Sequence, residues 1–137
     1  MPDLPAERLR ALIGLMPFSE RLGVELESAE PSAVVGTLAW SEERCTSGGI
    51  LHGGAIMALA DTVGALCAYL NLPEGATTST IESKTNFLRG VRAGLVRARA
   101  TPVHVGGRTI VVRTDLFDDQ DRPVALVTQT QAVSRGD

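Results

Sequence analysis

Apolar positions recur at two different spacings along this chain, and the change in spacing separates helices from strands. Over residues 5–16 they stand three or four residues apart, after a proline suited to a first helical turn, which predicts a helix. A further short turn of helix is predicted over residues 18–22. Alternation and β-favouring residues predict strands over 24–30, 32–40, 77–89, 95–101, 108–117 and 123–133.

Residues 53–70 are apolar nearly all the way round. A helix of this kind is buried centrally in a protein or lies in a membrane. Its 18 residues stand near the lower limit for crossing a bilayer, about 17–25 residues, and no basic residues flank it. Internal glycines, Asp61 and Thr62 weaken the membrane interpretation further. We therefore predict a buried central helix and no membrane association.

The loops between consecutive strands are short, and residues 118–122 have the composition of a hairpin loop. Short connections indicate antiparallel pairing. The chain thus predicts an α+β fold in which one antiparallel sheet of about six strands wraps around one long central helix. A length of 137 residues suits a single domain over residues 1–137. One sheet covers only one side of the helix, so a second copy of the chain is expected on the other side.

Composition narrows the classes of partner. The chain has 13 Lys and Arg against 16 Asp and Glu, a net charge of −3, which argues against nucleic acid as the main partner. Cys45 and Cys67 have neither metal-ligand nor redox-motif spacing and are interpreted as free thiols that serve packing. Residues 1–5 lack the basic and apolar regions of a secretory signal, so a cytoplasmic location is expected.

Asp61 is the only ionisable carboxylate between residues 53 and 70. An unpaired carboxylate in apolar surroundings costs more than the roughly 1–3 kcal/mol of an unpaired neutral group. Two interpretations stay open at this point: Asp61 is tied to a backbone segment or an arginine for structural reasons, or it is kept for function.

The tripeptide His52-Gly53-Gly54 lies where the loop enters this helix. The first amides of a helix lack internal acceptors and carry the positive end of the dipole, and glycine lets a ligand approach them closely. The tripeptide therefore suits an oxyanion site for a polarised carbonyl. The alternative is a glycine turn in which His52 caps the helix.

The spacing of these two features indicates an assembly. His52 and Asp61 stand nine residues apart, roughly 13 Å along a helix and turned toward opposite sides. They do not serve one reacting centre from one straight helix. Two such helices that lie antiparallel across a twofold axis bring each start opposite the other's middle, which predicts a shared site.

The run from Leu51 to Thr62 resembles the hot-dog thioesterases of the phenylacetate-operon type and their 4-hydroxybenzoyl-CoA thioesterase relatives. The run from Thr80 to Arg89 resembles the strand that follows the helix in that family. The resemblance covers about residues 17–134. It implies a hot-dog fold, hydrolysis of an aryl- or acyl-CoA thioester, no cofactor beyond the CoA of the substrate, and a homo-oligomer. That oligomer is a dimer with shared active sites and, in the family, a dimer of dimers (a homotetramer).

The resemblance also assigns catalytic roles by position. Asp61 falls on the family's acidic residue, the nucleophile or general base, and the Gly53 amide on its oxyanion donor, with His52 in support. Thr46, six residues before the histidine, stands where the family often has Asn or Gln. Thr80 falls on the Ser or Thr that positions water.

The resemblance implies contacts to substrate and CoA for a second set of residues. The arginines of this set suit the phosphates at the nucleotide end of CoA. This set consists of Gly54, Asn86, Phe87, Arg89, Gly106, Gly107 and Arg108. The other arginines of residues 92–113 are interpreted as solvated strand faces.

Two competing functions remain open. A hot-dog hydratase or dehydratase acting on acyl thioesters pairs a His with a carboxylate, and His52 with Asp61 fits that description. The second alternative is a non-catalytic acyl-CoA binder or a structural dimer. The presence of Thr46 where the family often has an amide side chain favours this alternative.

Overall fold

Six strands, three α-helices and two single turns of 3-10 helix make up the computed structural model, which describes residues 4–136. The helices are α1 (Ala6–Gly14), α2 (Pro17–Leu22) and α3 (Gly53–Leu70). The strands are β1 (Glu25–Glu30), β2 (Ala33–Ala39), β3 (Ala76–Phe87), β4 (Leu95–Val105), β5 (Thr109–Asp118) and β6 (Pro123–Arg135). The predicted elements are therefore all present.

The strands form one antiparallel sheet in the order β1-β2-β4-β5-β6-β3. The strand that follows α3 thus crosses to the far edge beside β6. This confirms the predicted six-stranded sheet. One boundary was wrong: the strand predicted to end at Thr101 continues as β4 to Val105. The pairing shifts between Pro102 and His104, and a bulge of this kind accommodates a proline inside a strand.

Helix α3 packs against the inner face of the sheet and forms the centre of the core. By length and composition it passes the test for a membrane span, but half of its residues are buried within the chain. The core joins α3 residues without solvent exposure to inward residues of four strands: Leu59, Ala60, Val63 and Cys67 meet Val34, Val96, Val112 and Val127. The predicted central helix is confirmed.

The opposite side of α3 is open in one chain. Gly54, Met57 and Asp61 are exposed there, and Ala58 and Ala65 are half-buried. These positions recur at three- and four-residue spacing and so form one stripe along the helix. Covering of this stripe by a second copy stays a prediction.

Strand β3 forms one edge of the sheet, with its outer side unpaired among residues 4–136. It is 12 residues long, and its register against β6 shifts between Thr80 and Glu82. A long unpaired edge is a template for another strand, and bulges concentrate next to active sites.

The hairpin turn between β5 and β6 is built around Asp118, as the sequence of residues 118–122 predicted. Its carboxylate accepts hydrogen bonds from the backbone N–H of Gln120 and Arg122 and from the Arg122 guanidinium, at 2.9, 3.0 and 2.8 Å. Burial opposes the charge, but these bonds outweigh it and hold the pKa of Asp118 below its ordinary value.

Candidate functional site

Asp61 lies midway along α3, on the exposed stripe, with one of its two oxygens held in place. Oδ1 accepts hydrogen bonds from the Thr80 hydroxyl and from the Gln129 amide, each at 3.0 Å. Within residues 4–136 neither a salt bridge to Asp61 nor a partner of Oδ2 is present. The structural interpretation of Asp61 as half of an ion pair is therefore not supported.

Two buried glutamines of β6 stand behind Asp61 and Thr80. Gln129 and Gln131 have no solvent exposure. The Gln131 amide donates to the Thr80 hydroxyl at 2.7 Å, and its carbonyl accepts from the Thr78 hydroxyl at 3.1 Å. The carboxylate is thus the outermost member of a chain of polar groups that reaches into the core.

Sequence reasoning missed both glutamines, although a signal was present. Along β6, Val127, Gln129 and Gln131 occupy alternate inward positions. Polar residues at two consecutive core positions of a strand break the expected pattern and mark either a buried network or a site.

The start of α3 leaves one backbone amide without a partner. His52 caps the helix, and its Nδ1 accepts from the Gly54 N–H at 2.8 Å. The carbonyl of His52 accepts from the amides of Ala55 and Ile56. The Gly53 N–H has no acceptor within the described residues. The capping and oxyanion interpretations of this tripeptide are therefore compatible, because the cap satisfies Gly54 and leaves Gly53 free.

Phe87 closes one side of this helix start. A Cβ added to Gly53 would lie 3.2 Å from the tip of the Phe87 ring, so the ring packs directly on the glycine. Half of the Phe87 side chain is exposed. Asn86, the neighbouring residue on β3, lies on the opposite face of the sheet because side chains alternate along a strand. The structure thus brings Phe87, but not Asn86, to Gly53.

Thr46 belongs to the loop that leads into α3. The loop returns on itself, since Cys45 pairs with Leu51 and the Thr46 N–H bonds to the Ile50 carbonyl at 2.8 Å. Gly48 and Gly49 take left-handed backbone angles at its tip, with φ of 80° and 73°. The Thr46 side chain is exposed on this loop, close in sequence to the helix start.

Asp61 and Gly53 do not meet within one chain. They stand eight residues apart on the same straight helix, a rise of about 12 Å. Each chain therefore presents two separate groups: a carboxylate with its hydroxyl and amide donors, and a helix start whose Gly53 N–H is free in the described residues.

The arginines expected at CoA lie at two separate places in one chain. The Arg89 N–H bonds to the Val124 carbonyl at 3.2 Å, whereas the Arg108 carbonyl accepts from the Val133 N–H at 2.8 Å. The two contacts lie nine residues apart on β6, about 30 Å. Gly106, Gly107 and Arg108 form the β4–β5 turn at one end of the sheet, and Arg89 lies at the other end.

Arg89 lines an open cleft of about 330 Å³. Two further arginines, Arg92 and Arg122, line the same cleft, together with Asp118 and Asp119 of the β5–β6 turn. The Arg122 guanidinium is already paired with Asp118, so Arg89 and Arg92 are the lining arginines without an ion-pair partner in the described residues, and they suit an anionic ligand.

Both cysteines are free thiols, as predicted. Cys67 is fully buried on α3, and burial raises its pKa to about 11. Cys45 donates to the Ser41 carbonyl at 3.3 Å. Neither thiol contacts Asp61 or the free Gly53 amide in the described part of the chain. Among residues 4–136, no three side chains of His, Cys, Asp or Glu come together as they would at a metal site.

Comparison with known proteins gives consistent matches. Residues 48–125 match the family model of the thioesterase superfamily. A protein of Pasteurella multocida, provisionally named an esterase, is 40% identical over 85 residues, which cover 62% of this chain and 61% of that protein. The 1,4-dihydroxy-2-naphthoyl-CoA hydrolase of Escherichia coli is 35% identical over 85 residues, 62% of each chain. The chain thus spans about three fifths of the length of these two relatives.

Structural comparison extends over the whole domain. The crystal structure of thioesterase HI1161 from Haemophilus influenzae superimposes with a TM-score of 0.88 and 30% sequence identity. The match covers 98% of this chain and 93% of that chain.

Proposed function

The chain belongs to the thioesterase superfamily, with a hot-dog fold and thioester hydrolysis as its activity, and from this premise we propose that Asp61 is its catalytic carboxylate. The proposed reaction cleaves an aryl- or acyl-CoA thioester into free acid and CoA. A thiolate leaves readily, so a positioned carboxylate and a polarised carbonyl suffice for the cleavage. No cofactor beyond the CoA of the substrate is needed for this scheme.

One observation carries the proposal. The carboxylate of Asp61 is exposed on α3, its Oδ1 is fixed by two neutral donors and its Oδ2 is free in the described chain. Neutral donors hold the group without cancelling its charge, unlike the arginine of a structural ion pair. Oδ2 is thus available to attack the thioester carbonyl or to take a proton from water.

The oxyanion donor in this proposal is the free Gly53 N–H of a second copy. The amide lies at the positive end of the α3 dipole, where it suits the negative oxygen of a tetrahedral intermediate. His52 supports it by holding the first turn through its bond to Gly54. The open stripe of α3 and the unpaired edge of β3 favour a twofold dimer in which two α3 helices lie antiparallel and share two sites.

Substrate contacts follow from the same assembly. The packing of Phe87 against Gly53 supports a contact between its ring and the acyl group. The exposed position of Thr46 on the neighbouring loop supports an assisting role for its hydroxyl. Arg89 and its cleft suit the phosphates of CoA. Gly106, Gly107 and Arg108 reach the same CoA only from another copy of the chain, which favours assembly beyond a single protomer.

The E. coli relative's name includes an aryl thioester, which supports testing aryl substrates first. Cytoplasmic location, the binding roles of Gly54 and Asn86, and assembly as a dimer of dimers remain predictions from the sequence.

The test is a panel of aryl-, short-, medium- and long-chain CoA thioesters, with release of thiol followed by a thiol reagent. We expect hydrolysis of at least one member and a loss of about 10²–10⁴-fold in kcat for Asp61→Asn, the range for a positioned acid–base group. Loss of enoyl absorbance without thiol release would identify a hydratase instead. Unchanged turnover by Asp61→Asn would refute the proposed mechanism.

A further inference from the structure

The orientation of the Gln129 side chain is fixed by the chemistry of its partner. An ionised carboxylate only accepts hydrogen bonds, so Gln129 presents its NH₂ group to Asp61, at 3.0 Å. Its carbonyl oxygen, Oε1, then points the other way. This oxygen is buried and has no hydrogen-bond partner within the described residues.

A glycine makes room for this arrangement. A Cβ added to Gly64 would overlap the Oε1 atom of Gln129. Gly64 lies within α3, three residues after Asp61, where glycine is a poor helix former. The chain thus accepts two unfavourable features together, a glycine inside its central helix and an unpaired buried carbonyl, and both serve the contact between Gln129 and Asp61.

Thr80 is held in a similar way. Its hydroxyl donates to Asp61 Oδ1, and the Thr80 hydroxyl oxygen in turn accepts a hydrogen bond from the Gln131 amide at 2.7 Å. Gln131 is fixed in turn because its carbonyl accepts from Thr78. The proton of the Thr80 hydroxyl is therefore committed to Asp61, and this hydroxyl has no second proton to donate to a water molecule.

We propose that Gln129 and Gln131 are positioning residues for the hydrolysis: Gln129 holds Oδ1 of Asp61 directly and Gln131 holds it through Thr80, so that Oδ2 is aimed at the substrate. The inference rests on the proposed function and adds two residues that do not themselves contact the thioester. In this arrangement Thr80 belongs to the clamp on the carboxylate. A clamp of two donors on one oxygen restricts rotation of the carboxylate about its Cβ–Cγ bond.

The experiment compares Gln129→Met with the wild type on the best thioester of the panel. Methionine fills a similar volume without a donor or an unpaired carbonyl, so the melting temperature should stay unchanged or rise. Loss of a hydrogen bond to a charged group should lower kcat roughly ten- to hundredfold, with KM changed less than about threefold. In an Asp61→Asn background the same substitution should cost about twofold or less, since the group it positions is gone.

Thr128→Val is the matched control, because Thr128 is exposed on the same strand and faces away from α3. Gln131→Met tests the same proposal through the bond from Gln131 to Thr80, and it decides the question if Gln129→Met does not fold. A lower melting temperature with unchanged kcat in the folded protein would show a structural glutamine and overturn the proposal. If kcat is unchanged in the glutamine variants while Asp61→Asn is inactive, the proposed function stands and only the role of the glutamines is refuted. If Asp61→Asn itself is active, the proposed function is refuted.

Discussion

Beside Asp61, the inner face of the sheet carries polar side chains where apolar ones are expected. Val127 continues the apolar pattern of β6, but the next two inward positions are Gln129 and Gln131, both without solvent exposure. Buried amides are costly unless they are bonded, and one carbonyl here is not. The unpaired carbonyl belongs to Gln129, so the cost in stability falls at that position, whereas both ends of the Gln131 amide group are hydrogen-bonded.

The N–H of residue 53 can be deleted while the helical backbone at this position is kept. Gly53→Pro deletes the N–H at the first helical position, where proline is well tolerated, and His52 already has the extended backbone that precedes a proline, with φ −60° and ψ 133°. We expect kcat/KM to fall about 10²–10³-fold, the usual effect of losing one oxyanion donor. Steady-state kinetics and thermal unfolding of the purified variant provide the check.

Gly53→Ala is the matched control for this substitution. It places the same Cβ against the Phe87 ring, at 3.2 Å, but keeps the N–H. Its activity should stay within several-fold of the wild type. Equal losses for the alanine and proline variants would assign the effect to crowding of Phe87 and would remove Gly53 from the oxyanion role.

Among the elements, the β5–β6 turn shows how a local motif fixes a strand register. Asp118 bonds two backbone amides of the turn and the Arg122 guanidinium, while Asp121 takes the left-handed conformation with φ 59°. Because β6 carries both glutamines of the clamp, its register relative to β5 decides whether they face Asp61. A one-residue slip would turn them to the other face.

The Asp118→Asn variant tests this turn through its pH dependence. The folded pKa lies below the ordinary value of 3.8, so the charge of Asp118 stabilises the fold above that pH, and the contribution disappears as pH falls through the folded pKa. We expect the variant to melt several degrees lower than the wild type at pH 7, with the gap narrowing below pH 4. Asp119→Asn, which removes the same charge from the same turn without breaking these bonds, is the control. A gap that is as wide at pH 3 as at pH 7 would contradict the assignment.

Sequence patterns predicted the helices and strands better than they predicted which side chains of different elements lie together. The all-round apolar character of residues 53–70 identified the central helix, and Asp61 stood out because it is the only carboxylate there. The glutamines were missed because alternation along β6 marks them as inward-facing but does not place them beside Asp61 and Thr80. That placement depends on the pairing of β6 with β3, which a single sequence does not specify. The distance between Arg89 and Arg108 was not predicted either, because the sequence does not say that β6 runs the length of the sheet between them.

For the whole molecule, the central claim is that one chain holds two halves of different sites. Asp61 and Gly53 are separated by about 12 Å on the same helix, so the proposed site needs two copies of the chain. The open stripe of α3 and the free edge of β3 are the surfaces available for such pairing within the described residues. Sharing predicts complementation between differently damaged chains.

Mixing of two inactive variants is the most direct test. Asp61→Asn and Gly53→Pro chains are unfolded together, refolded as a mixture and assayed for thioester hydrolysis against each variant refolded alone. In a mixed dimer one site combines both defects, and the other combines an intact Asp61 with an intact Gly53. Random pairing should therefore restore roughly a quarter of wild-type activity. A mixture no more active than its two components would show that each site lies within a single chain and would contradict a site shared between two copies.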